Sequence, residues 1–87
     1  MKTIYKYPVP VTDRPTILLP DAAEILTVQV QDGNIMLWAV ADPEKPIHNR
    51  RLWLYGTGHP MWGTEGRYIA TVQTGKLVWH IFDEATV

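Results

Sequence analysis

Apolar and polar residues alternate one by one through much of this chain, and this period-two pattern constrains its fold more than any other feature. It is clearest in residues 25–31, where apolar and polar side chains alternate from Leu26 onwards. Successive side chains of a β-strand point to opposite faces, so the pattern predicts a strand with one dry and one wet face. The turn residues Asp32-Gly33-Asn34 follow, and they tolerate the positive φ angles that a hairpin demands. The sequence therefore predicts a hairpin between this strand and residues 35–40.

A second hairpin is predicted near the end of the chain. Residues 68–73 and 77–82 are rich in β-branched and aromatic side chains, and a glycine turn joins them. Further short strands are predicted at residues 3–7, 16–19 and 50–55. Prolines end the first two of these, which is typical of edge strands, and the two prolines of residues 42–46 indicate a loop. Asp21 and Glu24 fit a capping box, but the next strand leaves no room for a lasting helix. We expect a small antiparallel β-sandwich or barrel of about six to seven short strands.

The composition excludes several functional classes. The 87 residues predict a single domain, residues 1–87, that gains from self-association, so we expect a homo-oligomer. The chain has no cysteine and three scattered histidines, which argues against disulfides and a structural zinc. Its net charge of −1 argues against binding to duplex nucleic acid. It contains neither a signal-peptide pattern nor a membrane-spanning run, which predicts a cytoplasmic protein without a membrane partner.

The run most suggestive of a binding site is residues 50–62, where arginines and aromatic residues lead into a glycine-rich turn. Strand alternation places Arg51, Trp53 and Tyr55 on one face and two leucines on the other. The first face could neutralise and stack on a ligand while the second joins the core. The turn Gly56-Thr57-Gly58-His59 follows directly.

Two interpretations of this turn stay open. Its successive N–H groups could form an anion-binding nest, or its glycines could simply adopt positive φ in an ordinary β-turn or bulge. The absence of a Walker lysine and of a third spaced glycine favours the ordinary turn. Arg50 and Arg67 could add phosphate contacts, and Trp62 could add a stacking ring. The predicted ligand-binding residues are Arg51, Trp53, Tyr55, Gly56, Thr57, Gly58, His59, Trp62 and Arg67.

Nothing in the chain predicts catalysis. It has neither serine nor cysteine, so the familiar acyl-transfer constellations are excluded, and no nucleophile lies near His59 in the sequence. His80 shares a strand face with Val78 and Phe82 and is predicted to be a hydrogen-bonded structural residue. His48 follows the proline-rich loop and is predicted to be solvated. We therefore expect a protein that is not an enzyme and uses no cofactor or metal.

Four tryptophans are a large number for so short a chain. Trp38 and Trp79 lie within apolar strands and are predicted to be core residues. Trp53 and Trp62 lie beside glycines and charges and are predicted to be exposed. Exposed aromatic residues favour either a ligand face or a subunit interface, and the sequence does not separate these two.

Several segments resemble a family of small uncharacterised proteins from phages and bacterial genomes, many of them prophage-associated. The resemblance rests on residues 2–8, 25–31, 37–39, 56–59 and 79–82, which are spread over nearly the whole chain. It implies a phage or mobile-element accessory protein that acts in the cytoplasm of a bacterial host. It carries no established catalytic residues.

This context favours three functions, all without catalysis. The first is an anti-defence sponge, a homo-oligomer that sequesters a nucleotide-derived immune signal such as a cyclic nucleotide or an ADP-ribose derivative. The second is a protein-interaction module that inhibits a host enzyme or defence complex through the same aromatic face. The third is a minor phage structural factor.

Overall fold

The computed structural model describes residues 1–63 and 65–84, which form seven β-strands and no helix. The all-β prediction is confirmed, and each predicted strand is present with bounds that differ by three residues at most. The strands are β1 (Thr3–Pro8), β2 (Thr16–Pro20), β3 (Glu24–Gln31), β4 (Asn34–Ala41), β5 (Ile47–Gly56), β6 (Arg67–Thr74) and β7 (Leu77–Asp83). Within the described residues there is no helix that is long and apolar enough to cross a membrane.

The strands form two antiparallel sheets with the orders β1-β4-β3 and β2-β5-β7-β6. Both predicted hairpins are present, as β3–β4 and β6–β7. Asp32 and Gly33 have φ angles of 52° and 79°, the positive values of a type I′ turn. β1 and β2 are edge strands, as the prolines predicted. Local turn chemistry therefore determines both hairpins.

The core lies between the inner faces of the two sheets. Leu37 of β4, Leu52 of β5 and Ile81 of β7 are fully buried there. Burying a side chain of this size stabilises the fold by about 1.5–3 kcal/mol. The core therefore holds the two sheets together and gives the outer faces a fixed support.

Trp38 does not lie in the core, so that prediction was wrong. Its neighbours Leu37 and Ala39 are fully buried, whereas Trp38 is half-buried on the opposite, outer face of β4. Successive side chains of a strand point to opposite faces. Since Leu37 and Ala39 point into the core, the Trp38 indole between them points away from it. Trp79 is half-buried and packs against the core.

β5 belongs to two pairings, and this positions the candidate site. Its first half pairs with β2, from Ile47 opposite Pro20 to Arg51 opposite Thr16. Its second half pairs with β7, where Tyr55 lies opposite His80. β6 completes this surface from the other side of β7. The three strands β5, β7 and β6 therefore present one continuous outer face beside the glycine turn.

Candidate functional site

Trp53 and Tyr55 share the outer face of β5, as the alternation predicted, but neither ring is free. The rings stack with centroids 5.6 Å apart and an interplanar angle of 4°. The exposed fraction of Trp53 is only 8%. Its predicted exposure was therefore wrong.

The cover over Trp53 comes from the segment between β1 and β2. The amides of Leu52 and Leu54 donate to the carbonyls of Pro15 (2.9 Å) and Asp13 (3.0 Å), which lays this segment along β5. Arg14, between the two acceptors, places its guanidinium 4.2 Å from the centroid of the Trp53 ring. The indole N–H donates to Glu84 Oε1 (3.2 Å), and Arg14 forms an ion pair with the same carboxylate. The stacking surface predicted for a ligand is therefore occupied by the protein's own side chains.

The arginines considered for phosphate binding do not converge. Arg51 is exposed on β5, five residues before Gly56 and so about 16 Å from the turn along an extended strand. Arg67 lies opposite Asp83, with 4.0 Å between Nη2 and Oδ2, and its side chain is about half exposed. Arg50 faces the interior, where Nε and Nη2 donate to the two oxygens of the Asp83 carboxylate (3.0 and 2.8 Å). Arg50 is therefore a structural residue.

One backbone hydrogen bond closes the glycine turn, and a second attaches it to β7. The His59 amide donates to the Gly56 carbonyl (3.1 Å), and the Thr57 amide donates to the Val78 carbonyl (3.4 Å). Gly58 has a φ angle of 91°, a conformation that favours glycine. Two of the amides that an anion nest would offer are thus engaged, and this geometry fits the ordinary-turn interpretation.

Beside the turn lies an open cavity of about 290 Å³, here named the turn cavity. Its lining consists of Tyr55, Gly56, Thr57, Gly58, His59, Met61, Tyr68, His80 and Phe82. The Phe82 ring contacts Tyr68 edge to face with a centroid distance of 5.6 Å, and Tyr55 in the same way at 6.1 Å. The cavity thus joins Tyr55 and the whole turn to three side chains from β6 and β7.

A chain of hydrogen bonds runs along the cavity wall through His80. Its Nε2 lies 2.8 Å from Thr57 Oγ1, and its Nδ1 lies 3.0 Å from Thr71 Oγ1. The Tyr68 hydroxyl lies 2.7 Å from the same Thr71 oxygen. Hydroxyl groups can donate or accept, so the chain suits either neutral tautomer of the imidazole. The prediction that His80 is hydrogen-bonded is confirmed, and the structure adds that it lines a cavity.

The segment after the turn is attached to the floor of the cavity through Tyr55. The Tyr55 hydroxyl donates to Glu65 Oε2 (3.0 Å), which also accepts from the Gly63 amide (2.7 Å). The Trp62 amide donates to the Tyr55 oxygen (3.4 Å), while the Trp62 side chain is 75% exposed, as predicted. Burial raises the pKa of Tyr55, with Glu65 adding to the rise and the Trp62 amide opposing it. Tyr55 is therefore a neutral anchor for this segment.

The sequence interpretation missed four residues of the cavity lining: Met61, Tyr68, His80 and Phe82. A signal existed, because alternation along β7 places Phe82 and His80 on one face. That signal needs the register of β7 on β5, and those strands are separated by β6 along the chain. Strand pairing between such distant segments depends on tertiary packing.

Comparison with known proteins yields a family and nothing finer. Neither the curated proteins nor the solved structures contain a match to this chain. One family model, described as a domain of unknown function, matches residues 1–87. With all 87 residues covered, the chain belongs to the DUF7352 family.

Proposed function

We propose that this protein binds a nucleotide-derived small molecule in the turn cavity and acts by sequestering it. The observation that carries this proposal is the cavity of about 290 Å³ with aromatic walls and one hydrogen-bonding wall. Ligand pockets typically combine mainly apolar walls with a few placed polar groups, and begin at about 300 Å³. The turn cavity matches that description at its lower limit, a size suited to one flat ring system.

The aromatic part of the cavity provides the affinity. Tyr68 is 52% exposed, and its ring is held by the edge-to-face contact with Phe82. A half-exposed, supported ring can stack on a base without first losing much side-chain freedom. Such a stack contributes about 1–3 kcal/mol.

The polar wall provides the selectivity. His80, Thr57 and the Tyr68 hydroxyl belong to one hydrogen-bonded chain that can donate or accept. A nucleobase carries donors and acceptors side by side on its edge, which matches such a chain. The chain therefore favours a neutral heteroaromatic ring over a purely apolar one.

The resemblance to phage and prophage-associated proteins supports an immune messenger as the nucleotide. A cyclic nucleotide or an ADP-ribose derivative fits this role, and a sponge needs no catalytic group. The protein would then act stoichiometrically in the bacterial cytoplasm as an anti-defence factor.

A calorimetric screen of cyclic dinucleotides, cyclic trinucleotides and ADP-ribose derivatives tests the proposal. We expect at least one to bind at micromolar concentration and Tyr68→Ala to weaken it about tenfold, because one stack is lost. The matched control is Tyr5→Ala, which removes a partly exposed tyrosine from the other sheet. Absence of binding throughout the screen, or equal losses in the two variants, would contradict a ligand site in the turn cavity.

Self-association is part of this proposal. Ile4 and Leu26 are about half exposed and, with Trp38, line a shallow apolar cavity on the outer face of the three-stranded sheet. Apolar area of this kind suits contact with a second copy of the chain. Light scattering should report an oligomer that Leu26→Glu dissociates, and a monomer at millimolar concentration would contradict it.

A second function, inhibition of a host protein, is favoured by the exposed rim of the turn cavity. Met61 is 52% exposed and Trp62 is 75% exposed. Aromatic residues and methionine are enriched in protein interfaces. Native mass spectrometry of protein purified from its bacterial host distinguishes the two functions, since a sponge carries a nucleotide and an inhibitor of a protein does not.

A further inference from the structure

A second cavity lies on the other side of the glycine turn. It has a volume of about 310 Å³, and its lining consists of Gly56, Thr57, His59, Lys76, Leu77, Val78 and Trp79. Three of these residues, Gly56, Thr57 and His59, also line the turn cavity. The two cavities are therefore neighbours, separated by a turn in which two of four residues are glycines.

The two cavities differ in charge. None of the described residues that line the turn cavity is a lysine or an arginine, whereas Lys76 lines the second cavity. In addition, the Glu65 carboxylate accepts a hydrogen bond from the hydroxyl of Tyr55, which lines the turn cavity. A phosphate group is therefore favoured on the Lys76 side and disfavoured on the other.

The hairpin between β6 and β7 holds Lys76 in place. Thr74 and Leu77 are paired across the turn, and Gly75 has a φ angle of 58° at the first central position. The side-chain amide of Gln73 donates to the Gly75 carbonyl (3.0 Å). A rigid two-residue turn thus presents the lysine at the rim of the second cavity.

We propose that Lys76 forms an anion subsite, so that a bound nucleotide extends across the turn with its base in the turn cavity and its phosphates at Lys76. This inference rests on the proposed function and specifies the ligand class further, as a base linked to a phosphate or diphosphate. Gly58 leaves the ligand room to cross, because the space that a side chain would fill there is open, whereas the His59 imidazole covers Gly56.

Three probes separate the two halves of this site: adenosine carries only the base, inorganic diphosphate only the anion, and ADP-ribose both. The variant is Lys76→Gln, and its matched control is Lys45→Gln, an exposed lysine in the loop at the opposite end of β5. Calorimetry at low salt measures the affinity of each probe for the wild type and for each variant.

For Lys76→Gln we expect about a fivefold to tenfold loss of ADP-ribose affinity that shrinks as salt rises, because the lost interaction is charged and exposed. Adenosine affinity should stay within twofold, and Lys45→Gln should match the wild type with every probe.

The outcomes distinguish this inference from the proposed function. If Tyr68→Ala weakens ADP-ribose binding but Lys76→Gln does not, the base site stands and the anion subsite is wrong. If adenosine loses as much affinity as ADP-ribose in Lys76→Gln, the lysine supports the fold and not a phosphate. If neither adenosine nor ADP-ribose binds the wild type, both proposals fail for this ligand class.

Discussion

The polar residues on the two faces of β7 have opposite environments. On the inner face, Asp83 is fully buried, and Arg50 donates to both of its carboxylate oxygens. The third Arg50 contact, from Nη1 to the Ala23 carbonyl (2.9 Å), ties the same guanidinium to the loop before β3. On the outer face, His80 is half-buried and bonds to two threonine hydroxyls beside an open cavity.

This difference separates polar groups that are locked into the interior from polar groups that stay accessible at a cavity. A buried carboxylate and guanidinium must satisfy each other completely, because an unpaired charge in the interior is very costly. Hydroxyls and an imidazole beside water can exchange a partner for a ligand at little cost. Residue type alone suggested Arg50 as a phosphate contact, whereas the structure pairs it with Asp83 in the interior. The prediction of a hydrogen-bonded His80 was correct, and only the structure places that residue beside an open cavity.

The largest expected effect tests the inner face. Asp83→Ala leaves the Arg50 guanidinium buried without its counter-ion and should lower the free energy of unfolding by about 3–5 kcal/mol. Arg50→Met removes the guanidinium that donates to both oxygens of the buried Asp83 carboxylate, so it should lower the free energy of unfolding by a similar amount. Urea denaturation followed by tryptophan fluorescence measures both.

The neighbouring arginine is the matched control for this test. Arg51→Met removes the same charge from an exposed position and should change the free energy of unfolding by no more than about 0.5 kcal/mol. The double variant Arg50→Met with Asp83→Leu should recover much of the loss, because both charges are gone. If Arg50→Met and Arg51→Met lower the free energy of unfolding equally, the buried pair of Arg50 and Asp83 has no special structural role.

An intermediate effect is expected on the outer face. His80→Ala breaks the chain from Thr57 to Thr71 but leaves both hydroxyls beside an open cavity, so it should cost about 1 kcal/mol of stability or less. ADP-ribose affinity should nevertheless fall about tenfold, since a hydrogen-bonding wall is lost. Calorimetry and urea denaturation on the same sample separate the two quantities.

His48→Ala is the control, since His48 is exposed on β5 away from the turn. His48→Ala should change neither the free energy of unfolding nor the affinity for ADP-ribose. A His80→Ala protein that is as unstable as Asp83→Ala would show that His80 belongs to the structural class.

The smallest effect concerns the floor of the turn cavity. Burial raises the pKa of Tyr55, so the folded state favours the neutral phenol. Its contribution to stability is fully present below the ordinary tyrosine pKa of about 10 and is lost as pH rises through the higher folded-state pKa. Tyr55→Phe should therefore show a smaller loss of stability than the wild type as pH rises above about 10. If the wild type and Tyr55→Phe lose stability equally at alkaline pH, the Tyr55 hydroxyl is solvated in the folded protein.

Much of the fold followed from local patterns in the sequence. Alternation together with β-branched and aromatic composition predicted about six to seven strands, of which the structure has seven. Asp32, Gly33 and Gly75 predicted the two hairpin turns, because these features need only neighbouring residues. Prolines predicted the two edge strands for the same reason, since each removes one ladder hydrogen bond. Tyr55 and the four turn residues were also correctly placed together, being consecutive in the chain.

Tertiary structure decided which of the predicted side chains lie at one cavity. Arg14 covers Trp53 only because residues 13–15 lie along β5, and His80 faces Tyr55 only because β7 adopts one register on β5. Such pairings join segments far apart in the chain, and shifting a strand by one residue would turn every side chain to the other face. The sequence by itself therefore determined the strands and turns, whereas packing between distant strands decided which polar groups are locked inside and which line the cavity.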